Sequence, residues 1–512
     1  MYTSNTSRLS RWRLSLTTIC VLGLLSTSEA MADDSILIRR VNVHDAATQA
    51  AQEVLHNPAL RYAWAAPSLS ALTLYGTSQP ASTARIPQLG TGGRCFGVTA
   101  QSFQRLSQHD AVWGEASYEN GRTYDVVWNE TSDFLQLYPY VMADERGGDT
   151  KYEQYKLKGG YSALHRRLSY GLELGYRALS EYRDRDPRPN NTVADLQGQL
   201  AIGYQLTATK QTLALAIALG KYKQTNDLAY YNELGAQKEY HLTGVGNDFA
   251  RFSGGNNSTF YKGYHWGADL TWASPEAKGW SANVGYRYTQ REKILTNLNR
   301  LPLNKLDINT WTGAVGYAWE NKGIRLQGAY ADRQGQDNLF GDASGNIYPL
   351  IGATKQYDGN EYQATLSGYG TWHAGAHFIY NIEPQVKLSG LKSRHQTSGN
   401  KLSTCDLQPQ IRANVAYLQS QNLFEAKLSL SHRFNISNDL LLYNSVAESM
   451  TALLTNLKQY YADGETSWHL LLSYTRRIAS NKALTFGIGW THGLYLSHES
   501  DNRYEAHITF TL

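Results

Sequence analysis

Leu213-Ala214-Leu215-Ala216-Ile217-Ala218-Leu219 decides the fold. Large aliphatic side chains take every second position and alanine takes those between. Successive side chains on a β-strand point to opposite faces, so this stretch has one apolar face and one small face. The pattern recurs to the end of the chain: Leu484, Phe486, Ile488 and Trp490 alternate with Thr485, Gly487, Gly489 and Thr491. Segments of about ten residues with one apolar face and one small or polar face are the signature of a transmembrane antiparallel up-and-down β-barrel with a wet interior.

The chain opens with Arg8, Arg11 and Arg13, an apolar run from Leu14 to Leu25, and Ala30-Met31-Ala32 before Asp33. This reads as a cleaved signal peptide over residues 1–32. Cys20 follows Ile19, too bulky for a lipoprotein cleavage site. No later run reaches the eighteen or so apolar residues that a helical span needs. Mean hydropathy is only −0.47, as expected when every second residue is polar. The 36 Tyr and 12 Trp suit the aromatic girdles that flank a barrel's apolar band. A net charge of +4 and the lack of a basic cluster speak against nucleic-acid binding. Cys95 and Cys405 are the two cysteines left after the signal; neither a disulfide nor a metal site is expected from them.

Residues 33–67 lack strand alternation and form an N-terminal periplasmic or plug segment. Val43–Leu55 is alanine-rich and predicts one short helix, and Pro58 and Pro67 punctuate the chain between it and the first strand. Two readings stay open: a plug that gates a pore, or a disordered or surface-packed leader. Residues 68–512 form the barrel. Short connectors recur at Ser107–Asp110, His165–Arg167, Thr207–Lys210, Ser274–Lys278, Asn321-Lys322, His373–Gly375, Ser420-Gln421 and Ala479–Lys482. Long polar connectors are expected at Asn129–Thr150, Glu181–Val193, Thr225–Ser258, Arg291–Asp307, Gln334–Asn360 and Asn435–Thr466. Tight periplasmic turns and long extracellular loops are the rule for bacterial barrels. Eight turns joining pairs of strands, with one strand before and one after, give about eighteen, with fourteen to sixteen as the fallback. Asn120-Gly121 is a tight-hairpin signal, but Ala111–Trp128 is favoured as one long strand.

A charge facing mid-bilayer lipid costs roughly 2–4 kcal/mol, so the charged face lies inside. Leu168, Tyr170, Leu172, Leu174 and Tyr176 share one face, with Ser169, Gly171, Glu173, Gly175 and Arg177 on the other. The same sorting gives a candidate lumen lining of Glu173, Arg177, Arg287, Arg325, Arg412, Glu425, Lys427 and Glu505. Such charges either select solutes or stiffen the wall through ion pairs.

Two stretches resemble known barrels. Leu55-His56-Asn57-Pro58-Ala59-Leu60 before the first strand is similar to the start of fatty-acid-transporter-like outer-membrane barrels. Trp128-Asn129-Glu130-Thr131-Ser132-Asp133, Pro139-Tyr140-Val141, Asp144, Gly147-Gly148-Asp149, Glu153, Tyr155, Gly159-Gly160-Tyr161 and Asp186-Pro187-Arg188-Pro189-Asn190 together resemble a Bacteroidota family of outer-membrane β-barrels of unknown function. That resemblance implies an outer-membrane barrel in a Bacteroidota-type cell, with outer-membrane lipid and the barrel-assembly machinery as partners. It also implies an accessory role beside a TonB-dependent receptor or surface lipoprotein. It carries no activity. Asp133, Asp144, Asp149 and Asp186 read either as oxygen ligands for a hard cation or, in preference, as loop scaffolding. The chain ends Phe510-Thr511-Leu512 rather than on an aromatic residue.

Transport through the polar lumen and a non-conducting binding or docking role for the long loops both fit. The loop at Thr225–Phe260, rich in Tyr and Asn, is the richest contact surface. An enzyme is not expected. Histidines such as His109, His241, His373 and His377 accompany no nucleophile or metal signature, and no catalytic residue, cofactor or metal is assigned.

Overall fold

A computed structural model describes residues 35–80, 86–206, 211–232, 238–254, 258–345, 347–375, 377–497 and 499–512. The expected signal peptide and the turn Thr207–Lys210 lie outside these. Eighteen antiparallel strands form one closed sheet. They are β1 Leu69–Gln79, β2 Gly92–Arg105, β3 Asp110–Val126, β4 Gly148–His165, β5 Leu168–Arg183, β6 Arg188–Gln205, β7 Thr212–Ala229, β8 Thr259–Ala273 and β9 Gly279–Leu295. The second half is β10 Leu301–Ala318, β11 Lys322–Phe340, β12 Leu350–Ala374, β13 Phe378–His395, β14 Lys401–Gln419, β15 Asn422–Leu441, β16 Glu465–Ala479, β17 Lys482–Tyr495 and β18 Ser500–Thr511. Each strand pairs with its sequence neighbour, and β18 closes on β1 with Ala71 opposite Thr511 and Tyr75 opposite His507. Ser70 and Leu512 exchange backbone hydrogen bonds of 3.0 and 2.8 Å, so the non-aromatic terminus completes the seam.

Of the stretch Ala111–Trp128, favoured as one long strand, all but the last two residues is one: β3 runs through Asn120-Gly121 to Val126 without turning, pairing Asn120 with Phe96. Three expectations need correction. Glu181–Val193 and Arg291–Asp307 are not long loops. The strands continue through them, leaving connectors only at 184–187 and 296–300, and strand also takes up Gln334–Phe340 and Leu350–Asn360 of the expected connector Gln334–Asn360. A bilayer needs about nine to eleven residues per strand, and β12 has 25. Beyond the membrane a ladder needs no apolar face, so polar residues on both sides conceal it. Strands also enclose compact outer connectors at 396–400 and 496–499, so long and short do not alternate throughout. Finally, Val43–Leu55 is not one helix. Helix α1 spans Ile36–His44 and α2 spans Ala46–Val54. Asp45 separates them because its extended backbone and its carboxylate, accepting from Thr48 N–H at 3.1 Å, cap the second helix.

The two faces sort as the alternation requires. Leu213 is 43% exposed and Ala214 is 0% exposed, because the leucines look outward and the alanines look into a filled barrel. Two aromatic rows lie on the outside across β8–β11. Trp280, Tyr317 and Trp319 stack near the turns; Trp266, Tyr286, Trp311 and Tyr330 form a second row. Trp280 and Tyr286 on β9 lie six residues apart, roughly 20 Å along a strand, with Ala282 and Val284 of the apolar face between the two rows.

Candidate functional site

The turn end of the barrel is crossed by the leader. Asn57 begins a short 3-10 turn, Pro58–Ala63. Its side chain accepts from Ala59 N–H at 3.0 Å and donates to the Ala214 carbonyl at 3.4 Å. This is a physical use for the Asn-Pro-Ala sequence: one residue caps the turn and ties it to the wall. Leu55, Ala59 and Leu60 bury themselves against Ala201, Ala214 and Ala216. The small lumen face of β6 and β7 therefore makes room for the leader. At Gly171 the approach is closer still, since an added Cβ would stand 2.3 Å from the Pro58 carbonyl carbon. On the other side Ile36, Leu37 and Val41 pack with Ala416, Leu418, Leu423 and Ala483.

Charges fasten the same segment. Arg61 lies 2.7 Å from Glu173, which also meets Lys158 at 3.1 Å and accepts from the Trp113 indole at 2.9 Å. The Arg61 guanidinium stacks over Trp64 and Trp113, 4.8 and 4.6 Å from the ring centroids. Arg40 stands 3.6 Å from Glu425, both nearly fully buried. His56 meets Asp269 at 3.1 Å, and Asp45 accepts from Thr371 at 2.7 Å.

The opposite end is filled by its own loops. The connector 127–147 folds inward, and its Trp128, Phe134, Leu137 and Val141 join Tyr240, Leu242, Met450 and Leu453 in one buried cluster. Met142–Ala143 pairs with Tyr240–Gly244 of the next long loop, and the helix Glu448–Ala462 covers them from a third. Cations of the wall satisfy the loop's carbonyls: Arg333 donates to Leu135 and Tyr138, at 3.0 and 2.6 Å, and Lys293 to Val141 at 3.0 Å. A loop buried in this way needs such partners. Arg183, fully buried, lies 2.6 Å from Asp144 and 3.7 Å from Glu130. Burial, with Asp144 close by, holds the Glu130 carboxyl well above its usual range.

The four aspartates do not converge on a cation. Asp133 pairs with Arg177, Asp144 with Arg183, Asp149 with Arg122 and Asp186 with Arg188. Asp186 also accepts from the backbone of Tyr231 and Asn232, at 2.9 and 2.8 Å. Asp133, Asp144 and Asp186 each tie a loop to an arginine, Asp149 joins two neighbouring strands, and no cluster of three His, Cys, Asp or Glu able to hold a metal occurs among the described residues.

Against the leader lies a chamber of about 710 Å³, walled by the leader and the barrel strands, with a smaller cavity of about 410 Å³ beyond Lys427 and His44. The eight charges singled out from sequence are spread around the wall. Glu173 and Glu425 are engaged by the leader and Arg177 by Asp133 of the loop. Arg325 donates to Asn283 at 2.9 Å, Arg412 stands 3.7 Å from Glu383, and Glu505 lies 3.4 Å from His469. Glu425, Lys427 and Glu505 line the chamber together. Arg287 and Lys427 have no ion-pair partner within 4 Å among the described residues. Sequence reading missed Arg40 and Arg61 on the leader and Trp113, Glu115, Lys158 and Arg503 on the wall. The four wall residues follow from the period-two register; the leader's arginines carry no periodic signal.

His44 ends α1 beside Lys427, Glu425, Arg40 and His507. Burial first, then Lys427, lowers its pKa to about 4. A docked leader thus keeps this histidine neutral, whereas an undocked one binds a proton below about 6.5. Docking is expected at full strength above pH 6.5 and to weaken by up to about tenfold per unit as the pH falls toward 4. Protease protection of the leader across that window reads this out, and His44→Gln is expected to flatten the profile.

These features define the class: a closed outer-membrane-type β-barrel whose two ends are filled by its own chain around a polar chamber. The chain belongs to a family of unknown function (DUF6850), whose sequence profile matches residues 58–512. The match begins at the Asn-Pro-Ala turn and takes in the whole barrel. No curated protein matches the sequence. Solved barrels with a similar course include BauA, the ferric preacinetobactin receptor from Acinetobacter baumannii, at 8% identity over 87% of this chain and 80% of that one, with a TM-score of 0.42. A bacterial polysaccharide outer membrane secretin shares 8% identity over 86% and 97% of the two chains, with a TM-score of 0.36. The CymD monoaromatic hydrocarbon channel shares 9% over 90% and 92%, with a TM-score of 0.32.

Proposed function

We propose that this protein is a channel, or an uptake accessory, in the outer membrane of a Bacteroidota-type cell, held shut at rest by its own leader. The carrying observation is the segment Ser35–Ala63, which crosses the turn end and is tied there by Arg61–Glu173, Arg40–Glu425 and His56–Asp269. A barrel of sixteen to eighteen strands leaves an aqueous channel unless something fills it. Here the filling is separable from the wall, being joined to β1 only through residues 64–68. The reading assigns no catalytic step. A TonB-dependent receptor or surface lipoprotein docked on the loops is the kind of partner that would open the outer side.

Osmotic swelling of liposomes tests this. Vesicles carrying the mature chain are expected to admit no small sugar, and vesicles carrying residues 68–512 with Arg183→Ala, which also unfastens the loops at the other end, to swell. Equal tightness of both, with each barrel shown to be folded by heat-modifiability, would mean that neither filling acts as a gate. The second reading, a non-conducting ligand-capture or docking barrel, would then stand. It is favoured by the dense loop cluster around Phe134, Tyr240 and Leu453.

A further inference from the structure

The chamber's chemistry points to the class of solute it takes. Its two flanks differ. On one, Trp64, Phe103 and Trp113 present aromatic surface, with Trp64 and Phe103 stacked 5.3 Å apart. Charges on that flank cancel: Arg61 and Lys158 face Glu173, and Glu115 stands opposite Lys158 in register. On the other flank Arg40, Lys427 and Arg503 line the chamber against only Glu425 and Glu505. Glu425 is engaged by Arg40 and Glu505 by His469. Lys427 and Arg503 have no ion-pair partner within 4 Å among the described residues.

We propose that the chamber binds an amphipathic monoanion: an aromatic or alicyclic body against Trp64, Phe103 and Trp113, with one acidic group between Lys427 and Arg503. The volume of about 710 Å³ falls in the range of pockets that enclose small organic ligands. Trp64 and Arg40 belong to the leader, while Trp113, Lys427 and Arg503 belong to the wall. A solute seated here bridges the two and stabilises the leader in place. This inference rests on the gated-barrel reading for its biological sense, but binding is measured without any flux, so either can fail alone.

The probes are 8-anilinonaphthalene-1-sulfonate and its uncharged counterpart N-phenyl-1-naphthylamine, titrated by fluorescence into the mature protein in nanodiscs, with empty nanodiscs as background. Saturable 1:1 binding of the sulfonate is expected, at least tenfold tighter than any saturable binding of the neutral probe. Hydrogen exchange across residues 36–63 is expected to slow when the sulfonate is bound. Lys427→Gln combined with Arg503→Gln is expected to weaken the sulfonate at least tenfold, and Lys322→Gln, at a turn outside the chamber lining, to leave it unchanged. Unsaturable sulfonate binding overturns the proposal, as does equal affinity for the two probes in the wild type. So does a folded double variant that binds the sulfonate as well as the wild type does.

Discussion

Arg183→Ala is expected to unfasten the outer loops while leaving the barrel wall closed. The guanidinium is fully buried between β5 and the inward loop, 2.6 Å from Asp144 and 3.7 Å from Glu130, and it donates to the Pro187 carbonyl at 2.9 Å. Glu130 and Asp144 are themselves almost wholly buried. Removing the cation leaves two carboxyls facing each other in a water-poor site. Breaking one side of a buried ion pair typically costs about 3–5 kcal/mol. The wall is held by backbone ladders along every strand and does not depend on this contact, so the loss falls on the loop cluster. Protease cleavage within residues 127–147 is expected to appear, with heat-modifiability retained. Loops as resistant as those of the wild type would show that the apolar cluster alone suffices.

The other large effect is expected at the opposite end. Glu173 is the common acceptor for Arg61, Lys158 and the Trp113 indole. Lys158 is half exposed and finds water, but Arg61 is buried under Trp64 and Trp113. Glu173→Ala leaves the Arg61 charge unpaired, its Nε still donating to the His56 carbonyl at 3.4 Å, and one indole N–H without an acceptor, a loss of about 2–3 kcal/mol. At 1.4 kcal/mol per decade, undocking of the 3-10 turn becomes roughly thirty- to a hundredfold more frequent. Hydrogen exchange at residues 59–63 is expected to accelerate by that factor. Glu173→Gln keeps an acceptor for the indole and is expected to give a smaller change. No acceleration in either variant would mean that the apolar contacts of Leu55 and Leu60 hold the leader unaided.

What the sequence discloses here depends on the range over which each interaction acts. Alternation at Leu213–Leu219 is local, so it yields both the strand and its inward face, and the same holds for the turns at Asn321-Lys322 and Ser420-Gln421. The meaning of the alanines is not local. Ala214 and Ala216 are small because Leu55 and Leu60 occupy the space beside them, and nothing near residue 214 says so. Trp128, Phe134 and Val141 show neither helical nor strand period; their partner Leu453 lies more than three hundred residues away. They therefore read as loop and prove to be core. Arg40 and Arg61 look like solvated charges until Glu425 and Glu173 are brought to them. Strand ends such as Glu181–Arg183 are hidden for the opposite reason: above the membrane the ladder persists but the apolar face that announces it is no longer needed.

The central claim is that the resting barrel is shut. Single-channel recording of the purified, heat-modifiable mature chain in a planar bilayer tests it most directly. The expected record is silence at low voltage from a folded barrel, with steps emerging once Glu173→Ala and Arg183→Ala together loosen the leader and the outer loops. Steady large steps from the unaltered chain would contradict the account and make the chamber part of an open pore.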